Sequence, residues 1–552
     1  MGATRDGATF VRADLVLVAT GVLAMIAAPP PYRAWFVGLV AWVPLASIIA
    51  RGQVRRAAAV GWLQGAVAQG LTLWSIPAAL REYAGTPPSW SYAIAAVLAV
   101  YEGARVGVVA LLASRAVRNR WPLTAAFPFA LVCTEWLYPM VFPWSSALFL
   151  DGAPVLLQGA ELGGPLTISL WMGFLNASLV SAWVDRRTPS TSCRNHLLRA
   201  GGCLGAVLLF GAARMRAVDE QMAASTPARV GLVQGNLASP TRESRDPIAL
   251  YREASLELTH REKLDLLIWP ETAIGYPTKL SRLGVTLRGI LMGVPTSSPV
   301  QRLDVPLLVG MVVVRDAPQS PGRIQEVNAD GTWKPPPAER FFNSGVLAAH
   351  DGDVLGIYDK RSLLAFGEYI PGESRFPWLR RLLPHAGNFS VGSSVAPLSL
   401  GGRRIAVVIC YEDILPERVR SAVRSDDTDL LVNITSDVWF SGSRVPSLHQ
   451  ALARLRSIEH RRFLVHATNT GVTAVVDAAG RVITELPPNR TASAVATVRW
   501  MRETTVYEAI GNLPWWGALG LLALGLGWRR STHLPNTAEA GSKLLYAIRD
   551  PR

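Results

Sequence analysis

Arg404-Ile-Ala-Val-Val-Ile-Cys-Tyr-Glu-Asp-Ile-Leu-Pro416 is an unbroken apolar run that ends in a cysteine, two acids and, after two apolar residues, a proline. A run of β-branched and small apolar residues without polar alternation is the pattern of a strand covered on both faces. Similar runs recur at Ala228–Val233, Leu264–Trp269, Pro306–Val314, Asp429–Ile434, Phe463–His466 and Val472–Val476. Helix-like stretches such as Pro247–Lys263 and Ser447–Arg462 lie between several of them. Residues 226–505 therefore read as one α/β region, with a long Pro- and Gly-rich loop at 316–340.

The first 215 residues differ. Half of the whole chain is hydrophobic and only 17% is charged, and the apolar excess is concentrated there and near residues 514–528. Apolar segments fall at 13–30, 34–50, 57–80, 89–113, 122–143, 155–184 and 197–213, with a last one at 514–528. Crossing a bilayer takes about 20 such residues. The reading is a bundle of about seven transmembrane helices over 1–215, a further span at 512–530 and a tail at 531–552. Arginines crowd alternate loops: Arg51, Arg55 and Arg56; Arg115, Arg118 and Arg120; Arg186, Arg187, Arg194 and Arg199; then Arg529 and Arg530. By the positive-inside rule both termini are cytoplasmic and residues 215–510 lie outside. Glu102, Arg105 and Glu135 fall at membrane depth, where charged residues are candidates for function or for buried ion pairs; Glu102 and Arg105 are spaced to pair on one helix.

A net charge of +14 invites comparison with nucleic-acid binders, but the basic residues occupy gaps between apolar segments and form no dense aromatic-laced tract. No nucleic-acid partner is expected. No His-Glu-x-x-His, Cys-x-x-Cys or phosphate-binding glycine loop occurs, so neither a metal nor a cofactor is expected. Nothing in the sequence requires assembly, and a monomer is expected.

Three groups in the α/β region form a chemical set. Cys410 is the one cysteine of that region, at the end of its run and ahead of a helix-like Glu417–Arg424; a helix N-terminus and a nearby cation favour a thiolate. Glu271 ends Leu266-Leu-Ile-Trp-Pro-Glu271, where desolvation would raise its pKa and suit it to proton transfer. Lys360, in Tyr358-Asp-Lys360, is one of five lysines among 55 basic residues and could stabilise an oxyanion. The ordinary alternatives are a core cysteine, a helix-capping carboxylate and a solvated lysine. Glu368 could hold Lys360 in place.

These motifs resemble the Glu-Lys-Cys triad of the nitrilase, or carbon–nitrogen hydrolase, superfamily, and the wider pattern resembles its membrane-bound branch, the apolipoprotein N-acyltransferases. The matching stretches include Thr134-Glu-Trp136, Phe142-Pro-Trp144, Val233-Gln-Gly-Asn236, Trp269-Pro-Glu271, Phe366-Gly-Glu368, Cys410-Tyr-Glu412, Asn433-Ile-Thr-Ser-Asp-Val-Trp-Phe440, His449-Gln450 and Ala467-Thr-Asn-Thr-Gly-Val-Thr-Ala474. The chain departs from that pattern after Asn236, where a Trp is missing, at Ala365, where the family has Pro, and in Thr435-Ser-Asp-Val-Trp-Phe-Ser441, where the family has Ser-Asn-Asp-Ala-Trp-Phe-Gly. The resemblance implies a transmembrane bundle carrying a periplasmic α-β-β-α sandwich in a bacterial inner membrane. It implies acyl transfer from a phospholipid, through a Cys410 thioester, to the α-amine of a lipoprotein's N-terminal diacylglyceryl-cysteine. Glu271 maps to the base, Lys360 to the oxyanion cation, and Glu368, Tyr411 and Glu412 to supporting positions. Aromatic placement points to Trp439 and Phe440 as substrate-binding residues. A membrane-tethered amidase acting on a small amide is the enzymatic alternative, and a non-enzymatic membrane protein with a degenerate outer region is the other.

Overall fold

Strand periodicity sorts the apolar runs into layers. The computed structural model describes residues 3–186, 191–237, 246–292, 302–316, 339–383 and 387–527. Most of the loop expected at 316–340, the segment after Leu237 and the tail at 531–552 lie outside them. One six-stranded sheet has the order β12-β1-β2-β3-β4-β5, from Ala492–Arg499 (β12), Pro227–Gln234 (β1), Leu266–Lys279 (β2), Leu307–Arg315 (β3), Arg340–Ala348 (β4) and Val354–Asp359 (β5). The second has the order β11-β10-β9-β8-β7-β6, from Val482–Leu486 (β11), Thr473–Val476 (β10), Leu464–Thr468 (β9), Leu430–Thr435 (β8), Arg403–Ile409 (β7) and Leu398–Leu400 (β6). In each sheet three central strands are parallel, β1-β2-β3 and β7-β8-β9, and the outer ones antiparallel.

Alternate side chains of each strand go to different cores. Val230, Leu232, Leu266, Ile268, Ile405, Val407, Val432 and Ile434 pack between the two sheets. Their neighbours Val233, Leu267 and Trp269 pack outward with Leu256, Leu258, Leu287 and Ile290, while Ala406, Val408 and Leu431 pack outward with Val419, Val423 and Ala453. The result is the four-layer α-β-β-α sandwich expected, and it explains why the runs carry no polar alternation.

The N-terminal region is helical: α1 (Ala3–Ala27), α2 (Val43–Ile49), α3 (Val54–Thr72), α4 (Pro88–Arg118), α5 (Leu123–Leu137), α6 (Pro165–Asp185) and α7 (Ser192–Ala224), joined by turns and by further short helices such as Ile76–Ala84. Among the described residues α4, α6 and α7 are long and apolar enough to cross a membrane, and shorter apolar helices cover Ala13–Ala27, Trp35–Ile49, Leu123–Leu137 and Leu513–Gly527. The apolar segment at 155–184 is not one helix. Short turns at Pro154–Leu157 and Ala160–Gly163 precede α6, because Gly164 (φ 70°) and Pro165 break the helical path.

Helices α3 and α4 cross closely at paired glycines. A Cβ on Gly65 would stand 2.2 Å from the Gly103 carbonyl oxygen, and one on Gly103 2.2 Å from the Ala66 nitrogen. With Gly61 and Gly107 these form two facing Gly-x-x-x-Gly stripes, a device for close helix contact where lipid supplies no hydrophobic drive. Helix α7 runs without interruption out of the bundle, and its Val218 and Met222 enter the core between the sheets.

Further helices include α8 (Pro247–Arg261), α9 (Leu283–Met292), α10 (Pro416–Ser425), α11 (Val445–His460) and α12 (Leu513–Gly527). The first four are crossovers between parallel strands, as parallel pairing requires.

Candidate active site

The β2 ladder to β3 loses register between Trp269 and Ile274, and Thr272 takes a φ of 50°. The strand thus runs past Glu271 instead of ending there. Gly310 on β3 accommodates the irregularity, since a Cβ there would meet the Pro270 carbonyl oxygen at 2.3 Å. Trp269 packs under the helices, but the broken ladder turns Glu271 toward β4 and β5. Asn343 Nδ2 donates to Glu271 Oε1 (2.7 Å) and to Glu368 Oε1 (2.9 Å). Lys360, only 1% exposed, donates through Nζ to Glu271 Oε1 (3.3 Å) and Glu368 Oε1 (2.9 Å). Its backbone is fixed too, by Asn343 O (2.9 Å) and Gly392 N (2.8 Å).

Cys410 follows β7 and opens a 3₁₀ turn, Cys410–Ile414, with φ 53°. The helix expected at Glu417–Arg424 spans Pro416–Ser425, and the 3₁₀ turn stands between it and the sulfur. Asn433 Nδ2 donates to the Cys410 carbonyl (3.0 Å). Buried Glu412 ties this turn to the lysine loop: its carboxylate accepts from Ile409 N (2.8 Å), Tyr358 OH (2.9 Å), Arg361 N (2.7 Å) and Ser362 N (2.9 Å).

Burial pushes the Cys410 thiol well above its ordinary value and Glu271 reinforces this, while Lys360 opposes it. The resting sulfur therefore keeps its proton, contrary to the thiolate that a helix N-terminus would have favoured. Burial likewise raises Glu271, against the pull of Lys360. Lys360 itself would be lowered by burial, but Cys410 once ionised, with the carboxylates Glu271 and Glu368, holds it well above the usual lysine value. A base of raised affinity, a protonated thiol and a permanent cation in one buried volume can pass one proton without changing net charge.

Cys410 opens on an apolar pocket lined by Phe142, Trp144, Leu364, Tyr411, Ile414 and Phe440, with Asp437 and His449 at its polar side. Phe142 and Trp144 come from the helical region and stack on each other; Phe440 meets Phe142 edge-on. Tyr411 points away from the sulfur's partners, donating to Val141 O (2.8 Å). Trp439 packs against Tyr83 instead of lining the pocket. The bundle charges brace this wall. Glu102 accepts from Val141 N (2.7 Å), and Arg105 donates to Trp144 O (2.9 Å) and lies 3.3 Å from Glu135, so Arg105 pairs with Glu135 and not with its helix neighbour.

Four groups beside the pocket were not singled out as site residues. Asn343 is hidden in a strand that carries polar residues mid-run, and Asp413, Asp437 and His449 meet only through the fold. His449 on α11 places Nδ1 2.8 Å from Asp437 Oδ1 and Nε2 2.8 Å from Asp413 Oδ1, and His466 Nδ1 lies 3.2 Å from Asp413 Oδ2. Ligand atoms of Asp413, His449 and His466 lie within 4.8 Å of one another, close enough to hold a metal ion.

The profile of the carbon-nitrogen hydrolases matches residues 229–505, and that of the apolipoprotein N-acyltransferase N-terminal domain matches residues 20–178. Similar proteins include an apolipoprotein N-acyltransferase of Geobacter metallireducens, 27% identical over 541 residues and covering 94% of this chain and 96% of its own. One of Vibrio cholerae is 28% identical over 523 residues, covering 91% and 94%. Among solved structures, an amidase from Nesterenkonia sp. is 21% identical with a TM-score of 0.33, covering 50% of this chain and 91% of that one.

Proposed function

The chain belongs to the carbon–nitrogen hydrolase family, and on that premise we propose that it is an apolipoprotein N-acyltransferase of a bacterial inner membrane. It moves an acyl chain from a phospholipid to the N-terminal amine of a diacylglyceryl lipoprotein, with its sandwich on the periplasmic side. One observation carries the reading. Cys410 lies between a buried Glu271–Lys360–Glu368 cluster and an apolar pocket whose far wall, Phe142 and Trp144, comes from the helical region. A small soluble amide would have no use for such a wall, whereas an acyl chain rising from the bilayer would.

In the first half-reaction Cys410 Sγ attacks the ester carbonyl carbon as its proton passes to Glu271. Lys360 sits where negative charge develops on the carbonyl oxygen. The carbon–oxygen bond to the glycerol breaks, Glu271 returns the proton to the leaving alkoxide, and a thioester and lysophospholipid result. In the second, the lipoprotein amine attacks the thioester and Glu271 takes its proton. The carbon–sulfur bond breaks, the thiol is restored and the amide leaves. Glu368 and Asn343 hold Glu271 and Lys360 in register, and Glu412 holds the sulfur's turn against the lysine loop. The kinetics are ping-pong.

Incubation with acyl-labelled phospholipid is expected to leave a hydroxylamine-labile label on Cys410, discharged by a diacylglyceryl peptide, and Cys410→Ser is expected to abolish both steps. An enzyme that leaves phospholipid intact and releases ammonia from small amides would sink the proposal in favour of an amidase.

A further inference from the structure

We propose that His449 is a positioning residue for chemistry at Cys410: a buried imidazolium that binds the nucleophile's turn to the turn carrying Trp439 and Phe440. Each ring nitrogen of His449 stands 2.8 Å from a carboxylate oxygen, Asp437 on one side and Asp413 on the other. An ionised carboxylate only accepts, so both nitrogens donate, and a ring that donates twice is the cation. Asp413 belongs to the 3₁₀ turn that Cys410 opens, and Asp437 immediately precedes the turn Val438–Phe440. Both turns start from a left-handed residue, Cys410 at φ 53° and Asp437 at φ 52°. A positive φ is uncommon outside glycine, least so for an aspartate and more so for a cysteine, and it persists where the surroundings enforce it. His449, fixed on the buried helix α11, supplies the enforcement to both at once.

The bracket acts electrically as well. The Asp437 carboxylate opposes ionisation of Cys410, and the imidazolium between the two acids cancels one of their charges beside the sulfur. His466, from β9, faces the second oxygen of Asp413, and Cys410 and Tyr411 line the same pocket as His449. The 2.8 Å spacing at both nitrogens fits charge-assisted N–H···O bonds, and a ring with a proton on each nitrogen has no lone pair left to offer a metal.

The inference rests on the acyl-transfer reading, and one set of measurements separates the two. Full-length wild type, His449→Gln, Asp413→Asn and Asp437→Asn are assayed in detergent for single-turnover Cys410 acylation against phospholipid concentration, with reactive thiol counted by iodoacetamide. Asp413→Asn is expected to lower the saturating rate about tenfold at little change in donor KM, and Asp437→Asn to raise donor KM about fivefold at little change in rate. His449→Gln should do both, and adding either Asn change to it should cost less than the product of the single effects. A His449→Gln enzyme with wild-type constants overturns the inference. So does a loss in all variants that only tracks the thiol count, or inactivation of wild type by a chelator with recovery on adding zinc. If wild type forms no thioester, the acyl-transfer reading fails first. Iodoacetamide rates at Cys410 then decide the bracket, supporting it when they change in His449→Gln and overturning it when they do not.

Discussion

At Cys410 the sulfur shares one buried volume with two carboxylates and one ammonium, so each charge sets the proton affinity of the others. Burial and Glu271 together keep the thiol protonated. Glu271→Gln is therefore expected to lower the apparent pKa of Cys410, read from the pH dependence of iodoacetamide alkylation. The same change removes the proton acceptor and should reduce acyl transfer by about 10²-fold or more. A thiol whose alkylation profile does not move would refute this coupling. His449 and Asp413 set a second pH dependence. Burial would lower the His449 pKa, but Asp413 and Asp437 hold it well above the ordinary 6.5. Its stabilisation is complete below about pH 6.5 and fades progressively as pH rises from there toward the raised value. Burial would raise Asp413, but the two histidines hold it at about 2, so its share is present above 3.8 and is lost as pH falls toward 2. The Tm difference between wild type and His449→Gln is thus expected to be flat from about pH 5 to 6, to shrink gradually above about pH 6.5 and to shrink again below about pH 4. Glu271, Lys360 and Cys410 could be picked from sequence because each carries reactive chemistry at the edge of an apolar run or in a short motif. The Asp413–His449 contact could not, since it joins positions 36 apart on elements that only the tertiary fold brings together.

Among the elements, the strands that could be read were those covered on both faces, because burial forces apolar residues at every position. The unread ones mix polarity. Arg340-Phe-Phe-Asn-Ser-Gly-Val-Leu-Ala348 breaks its run with Asn343 and Ser344, and these two face Glu271 and Asp359 as hydrogen-bond donors. Chemistry erased the pattern there. Val354–Asp359 and Val482–Leu486 lie at or near sheet edges and keep exposed positions, so they too lack a continuous signal. In the bundle the glycine stripes of α3 and α4 carry no hydropathy signal at all, yet they decide how closely those helices approach. Gly103→Val places branched carbon against backbone and is expected to cost at least about 1–3 kcal/mol. The measurement is thermal unfolding in detergent, and Gly70→Val, where a Cβ has open space to within 3.9 Å of Ala99, is the control expected to change little.

At the scale of the molecule, the bundle and the sandwich are joined by buried ions as well as by chain. Arg461, just past α11, donates to Glu161 Oε2 (2.7 Å), in the interrupted stretch before α6, and Arg214 of α7 reaches the same carboxylate at 2.8 Å. Arg454 of α11 holds Asp151 at 2.8 Å. Glu161→Ala leaves the buried Arg461 guanidinium without a charge partner, while Arg214 keeps Glu503, and is expected to cost about 3–5 kcal/mol. A Tm fall that persists at high salt would mark the pair as buried, whereas an unchanged Tm would deny the joint any structural weight. Helix α7 makes the joint stiffer still, since one unbroken rod of 33 residues begins in the bundle and ends with Val218 and Met222 wedged between the sheets. An enzyme mounted on such a post cannot stoop toward its lipid. The distance from the sulfur to the helical region is a length written into the chain, and under the proposed acyl transfer it is the ester linkage of the donor that must climb to meet it.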